Sequence, residues 1–173
     1  GPRKEMGVRT LFNLLGPLTN PAAAPNQVLG VFSAEWLEPL AQVLGKLGSE
    51  HVLVVHADDG LDEISIASST RVAELKAGSV HSYQVSPDQF GMKTGNVAEL
   101  AVENAQQSLT MINRVLDDTP GPAHDIVALN AGAAIYAAGI ADSLQAGVEV
   151  AQQAIASGAA KQKLKDLIEF SNS

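Results

Sequence analysis

Two short apolar runs constrain this chain more than any other feature: Gln27–Phe32 (Gln-Val-Leu-Gly-Val-Phe) and His51–His56 (His-Val-Leu-Val-Val-His). Both are near-continuous in apolar residues, which is the pattern of strands covered on both faces. Between them Trp36, Leu37, Leu40, Val43, Leu44 and Leu47 recur at helical spacing. Ser33 is a good N-cap and Gly48 a good stop, while Pro39 weakens the first turn. Strand, helix, strand over this distance is a βαβ unit, and ligands of such sheets bind at the carboxyl ends of the strands. The acidic stretch Asp58–Ser65 (Asp-Asp-Gly-Leu-Asp-Glu-Ile-Ser) follows the second run directly.

The rest of the pattern extends that core. Glu63–Ser68, Thr70–Lys76 and Ser79–Val85 alternate, with Ala77-Gly78 as a hairpin turn, so they read as antiparallel strands. From about Ala98 the chain reads as helical. Ala98–Leu116 puts Leu100, Ala105, Leu109, Ile112 and Leu116 on one face, and Pro122–Ala138 ends at Gly139. Asp142 is expected to cap a helix to Ser157, with Gln145 three residues on. A last amphipathic helix covers about Ala160–Phe170. Near the start, Gly16-Pro17, Asn20-Pro21 and Pro25 force turns, so Arg3–Leu15 reads as partly helical and Gly16–Asn26 as an ordered loop. The fold class expected is α/β: a mostly parallel sheet with an antiparallel extension and a C-terminal helical half.

A chain of 173 residues with 46 % hydrophobic and 17 % charged residues can build a real core, and with 4 % aromatics that core is aliphatic. The net charge of −8, with no Lys/Arg cluster, disfavours nucleic-acid binding and amphipathic membrane anchoring. The absence of cysteine excludes disulfides, thiolate metal sites and Cys nucleophiles, and it fits a cytoplasmic protein. No apolar run approaches the ~20 residues of a membrane span. The opening Gly1-Pro2 lacks a Met, as in a protease scar or an internal fragment, so residues upstream are expected.

Among candidate chemical groups, Asp62 and Glu63 stand out. Mg²⁺ takes hard oxygen ligands and is usually held by one or two carboxylates, waters and substrate phosphates. Adjacent acids in a loop at a strand end suit that work, Gly60 lets the backbone bend, and Asp58 and Asp59 add negative potential. From the residues alone, a solvated acidic turn is the favoured reading, and the position after a buried strand is what argues for a site. Arg3 and Arg9 can hold a carboxylate bidentately or serve as surface ion pairs. Gly16-Pro17 can let the main chain approach a flat ring, or be an ordinary turn. His51, His56, His81 and His124 lack metal-ligand spacing and read as structural or exposed. Asn104 and Asn130 fall on helices and read as packing or capping residues. No phosphate-loop or dinucleotide motif is present.

Read in series, these segments resemble a known family. Gly7–Pro21 (Gly-Val-Arg-Thr-Leu-Phe-Asn-Leu-Leu-Gly-Pro-Leu-Thr-Asn-Pro) closely resembles a signature of the anthranilate phosphoribosyltransferases, and Asp59–Ser65 is similar to that family's metal-binding loop. Asp88–Gly91, Glu103–Ala105, Leu129–Ala131 and Ala141–Leu144 match further family segments in order, so the resemblance covers nearly the whole chain. It implies transfer of a phosphoribosyl group from 5-phosphoribosyl 1-pyrophosphate to anthranilate, with Mg²⁺, in a cytoplasmic and homodimeric enzyme of tryptophan biosynthesis. It further implies that Arg3 binds the anthranilate carboxylate, that Gly16 and Pro17 wall the ring, and that Asp62 and Glu63 hold a second Mg²⁺. The family's front half is not in this sequence: no Gly-Thr-Gly-Gly-Asp pyrophosphate loop, no Lys-His-Gly-Asn segment and no small helical domain. Residues 1–173 are therefore expected to be the C-terminal portion of the α/β catalytic domain of a phosphoribosyltransferase/nucleoside-phosphorylase-like fold, inactive alone. The competing readings are a nucleic-acid-binding paralogue of the same fold, disfavoured by charge, and a pyrimidine-nucleoside phosphorylase relative, disfavoured by Phe12–Pro21.

Overall fold

A computed structural model describes residues 12–172, with side chains from Leu15 onward. In chain order the elements are α1 (Phe12–Leu18), β1 (Asn26–Gly30), a 3₁₀ turn (Ala34–Trp36), α2 (Leu37–Lys46), β2 (His51–Ala57), β3 (Thr70–Lys76) and β4 (Ser79–Val85). Two more 3₁₀ turns (Pro87–Phe90 and Val97–Leu100) lead to α3 (Ala105–Leu116), α4 (Pro122–Ala137), α5 (Leu144–Ala156) and α6 (Ala159–Ser171).

The four strands form one sheet in the order β1-β2-β3-β4. The expected parallel pairing holds for β1 and β2, where Gly30 pairs with Val55, and the antiparallel extension is β2-β3-β4. The sheet is thus mixed, with one parallel and two antiparallel pairings among the described residues. Helices cover both faces. Val52 and Val54 of β2 pack with Leu37, Leu40, Ala41 and Leu44 of α2, while Leu53 and Val55 pack with Leu129, Ala133 and Val148 of α4 and α5. Since both faces are buried, both parities of β2 are apolar, which is why the run is continuous.

Glycine sets the position of helix α4. A Cβ on Gly132 would lie 2.6 Å from Cα of Val148, and one on Gly147 would lie 2.3 Å from the Gly132 carbonyl oxygen. Only glycine at both positions lets α4 and α5 approach this closely.

Several expectations are corrected. Helix α1 continues through Gly16 and Pro17 to Leu18. Pro17 is its penultimate residue, so the missing N–H removes a single bond, and the Thr19 hydroxyl caps the Leu15 carbonyl at 3.0 Å. Residues 63–68 form no strand, because side chains satisfy their backbone instead. The helix expected from Ala98 is broken, and α3 begins only after Asn104, whose side chain accepts the Gln107 N–H at 2.9 Å. Its inward face carries Val115, while Leu109 and Ile112 are 47 % and 45 % exposed. The cap of α5 is Ser143, not Asp142, with its hydroxyl accepting the Ala146 N–H at 3.1 Å. The helix expected after Ser33 opens with the 3₁₀ turn Ala34–Trp36, and Pro39 sits in the first turn of α2, where its missing N–H costs no helical bond.

Candidate functional site

The chain leaves β2 at Ala57 and turns at once. The Gly60 N–H reaches the Ala57 carbonyl at 3.0 Å, and the Ala57 N–H reaches that of Leu61 at 2.9 Å. Gly60 has φ +92, a left-handed conformation that a side chain would strain. Asp59 then organises the loop from within. Its Oδ1 accepts the Leu61 N–H at 3.2 Å, its Oδ2 accepts the Ser65 hydroxyl at 2.5 Å, and its own N–H goes to the Ser68 hydroxyl at 3.1 Å. Asp58 faces the strands, accepting from Arg71 Nε and Gln84 Nε2, both at 3.0 Å.

Two of the four acids thus hold the loop. The other two do not. Asp62 and Glu63 are exposed, and neither has a hydrogen-bond or ion-pair partner among the described residues. Their position is set through the main chain. The Asp62 carbonyl lies on Gly30, the last residue of β1, so closely that a Cβ there would sit 1.6 Å from the oxygen. On the other side, Asn130 of α4 takes the Ile64 N–H at 2.9 Å and returns Nδ2–H to the Ile64 carbonyl at 2.9 Å. Ser65 donates its N–H to Thr70 Oγ1 at 3.0 Å. His56 donates from Nδ1 to the Val31 carbonyl at 2.8 Å, tying the ends of β2 and β1 together.

This donor set fits Mg²⁺. No group of three or more His, Asp or Glu among the described residues gathers to enclose an ion. A cation at Asp62 and Glu63 would fill its other positions from water and ligand oxygens, which is the habit of Mg²⁺ and not of an all-protein cage.

The other predicted residues are elsewhere. Arg3 and Arg9 lie outside the described residues. Gly16 is exposed on α1, and Pro17 lines a cleft of about 170 Å³ with Gln27, Leu44 and Gly48, at the beginning of β1 and β2. The structure does not bring Gly16 and Pro17 to the acidic loop, which lies at the other end of β1. Sequence reading missed Gly30 as the seat of the loop. It did take Asn130 for a packing residue, without indicating what it holds.

A second polar cluster occupies that other end of the sheet. Glu74 of β3, only 9 % exposed, accepts from the Tyr136 hydroxyl at 2.7 Å and from His51 Nε2 at 2.8 Å. Lys76 donates to the Tyr136 oxygen at 3.1 Å and stands 4.4 Å above its ring. Burial raises the Glu74 carboxyl, but hydrogen bonds from Tyr136, His51 and Tyr83 outweigh it and hold the group below its ordinary value. Burial first, then the Glu74 charge, pushes the Tyr83 phenol well above its ordinary range. His124 is likewise structural, bridging Asp118 at 3.1 Å and Asp125 at 3.3 Å.

Residues 1–161 match the model of the glycosyl transferase family, a/b domain. The anthranilate phosphoribosyltransferase of Thioalkalivibrio sulfidiphilus is 63 % identical over 173 residues, covering 100 % of this chain and 51 % of the relative. The crystal structure of anthranilate phosphoribosyltransferase from Thermus thermophilus superposes with a TM-score of 0.89 at 43 % identity, over 99 % of this chain and 50 % of that one. The Saccharomyces cerevisiae enzyme in complex with PRPP and Mg gives 0.83 at 27 %, over 96 % and 48 %. The chain spans about half the length of the curated relatives it matches.

Proposed function

The chain belongs to the glycosyl transferase family by its α/β domain, and on that premise we propose that it is the C-terminal portion of the catalytic domain of an anthranilate phosphoribosyltransferase, a cytoplasmic homodimer of tryptophan biosynthesis. In that reaction the anthranilate amine attacks C1 of the ribose of 5-phosphoribosyl 1-pyrophosphate. The C1–oxygen bond breaks, pyrophosphate leaves with the bonding pair, and the new C1–nitrogen centre loses a proton.

One observation carries this reading. Of four acids in the loop after β2, Asp58 and Asp59 are engaged in shaping it, while Asp62 and Glu63, at the carboxyl ends of the strands, have no partner among the described residues. These two carboxylates would hold Mg²⁺, which when bound acts as a Lewis acid on the leaving pyrophosphate. The chain's own contribution is positional. Gly30 and the Asn130–Ile64 bonds fix the main chain on either side of the pair, so the carboxylates meet a ligand already ordered. A cation between them and a polyanion also resolves a charge conflict, since a chain of −8 repels pyrophosphate directly.

For the acceptor, Arg3 would hold the anthranilate carboxylate and Gly16 and Pro17 would flank its ring, a placement supported by the Gly7–Pro21 signature. For that contact Gly16 and Pro17 must approach the carboxyl end of β1 in the full-length protein. The remaining substrate contacts belong to the half of the relatives' length that this chain does not cover, so the 173-residue chain alone forms no phosphoribosylanthranilate.

The test is phosphoribosylanthranilate formation by the full-length protein across an Mg²⁺ titration. Asp62→Asn with Glu63→Gln is expected to lower kcat by ~100-fold or more, the scale of losing a charge stabiliser, and to shift the Mg²⁺ dependence. Superimposable titration curves overturn the assignment.

A further inference from the structure

Resting on that reading, we propose that Asn130 is the positioning residue of the metal loop: it acts through Ile64 to set where the Asp62 and Glu63 carboxylates stand. Neither carboxylate has a side-chain partner among the described residues, so their place is inherited from the backbone. That backbone has no strand ladder between Gly60 and Ser69. Of the contacts that hold it, two directly flank the pair. On the near side Asp62 rests on Gly30. On the far side, the residue next to Glu63 has both its N–H and its carbonyl held by one amide, that of Asn130.

The chemistry is specific to Asn. Oδ1 accepts from Ile64, and the two Nδ2 protons go to the carbonyls of Ile64 and Ile126, the latter at 3.0 Å. Both donors and an acceptor are used, and the planar amide presents them as a neighbouring strand would. The bond to Ile126 lies within α4 and fixes the side chain's direction. Asp in place of Asn keeps the shape but has no donors, and it would turn an oxygen toward two carbonyls. Leu would leave the Ile64 N–H and carbonyl without partners. A residue that orients a metal's ligands without touching the metal typically alters affinity or activity ~10–100-fold when removed.

The experiment uses the full-length protein with Mn²⁺ and inorganic pyrophosphate as the probe, reading bound Mn²⁺ by electron paramagnetic resonance and backbone order at residues 61–66 by amide hydrogen exchange. Asn130→Leu is expected to weaken Mn²⁺ binding ~10–100-fold and to speed exchange in 61–66. Asn130→Asp, the variant least disturbing to packing, is expected to do the same. Asn104→Ala removes a helix cap of α3 elsewhere in the molecule and is expected to lower Tm without moving either readout. Unchanged Mn²⁺ affinity in both Asn130 variants, while Asp62→Asn with Glu63→Gln abolishes it, overturns the positioning role and leaves the metal loop standing. Unchanged affinity in the Asp62/Glu63 variant overturns the metal loop itself.

Discussion

At the amino end of β2 a carboxylate is buried among donors, and at the carboxyl end of the same strand two carboxylates face solvent with none among the described residues. Glu74 has His51, Tyr136 and Tyr83 around it and is nearly inaccessible. Asp62 and Glu63 are exposed on a loop held entirely by other groups. A buried charge survives only if its hydrogen bonds replace its hydration. Once replaced, its lone pairs are occupied and it has little to offer a ligand. The free pair contributes little to folding and keeps every oxygen available for coordination. The sheet thus carries the same functional group in two states, hydrogen-bonded and buried at one end, exposed at the other.

The largest effect expected from breaking this contrast is at the structural end. Glu74→Ala leaves His51 and two phenols without their acceptor and should destabilise the full-length protein by about 3–5 kcal/mol in urea unfolding. A loss below about 1 kcal/mol would mean the cluster is not holding the fold. The same group sets a pH dependence. Because the folded Glu74 carboxyl lies below its ordinary value of 4.5, its contribution is fully present above that value and disappears as pH falls through the folded value. The Tm gap between wild type and Glu74→Gln should therefore be constant near neutrality and close in acid. A gap that widens in acid contradicts the direction. The smallest effect belongs to the other end. Asp62→Asn with Glu63→Gln should change unfolding free energy by no more than about 0.5 kcal/mol, as for exposed positions without partners. A loss of about 2 kcal/mol, far outside that range, would show that these acids are structural after all.

Much of this was legible in the order of residues. The continuous apolar run His51–His56 indicated a strand covered twice, because periodicity reports burial directly. Asp62 and Glu63 were visible as adjacent charges right after it. What failed shares a cause. Ile64 and Ile66 alternate with polar residues as a strand would, yet the N–H groups of Ile64, Ser65 and Ala67 go to the Asn130, Thr70 and Ser65 side chains, which no local pattern encodes. Leu109 and Ile112 have helical spacing, but which stripe of α3 turns inward depends on how it meets its neighbours, and Val115 faces the core instead. Gly30 is the last residue of β1. Its purpose is visible only once Asp62, 32 positions on, is laid over it.

The bond between Ile64 and Asn130 spans 66 positions. Neighbouring elements such as the β3–β4 hairpin close early and at low entropic cost, but a contact this distant must wait for the intervening chain to collapse. The two carboxylates therefore acquire their geometry only when α4 docks on the sheet. If the loop binds a cation as proposed, a newly made or partly unfolded chain, however complete its strands, could not present that site, and binding would report that folding is complete.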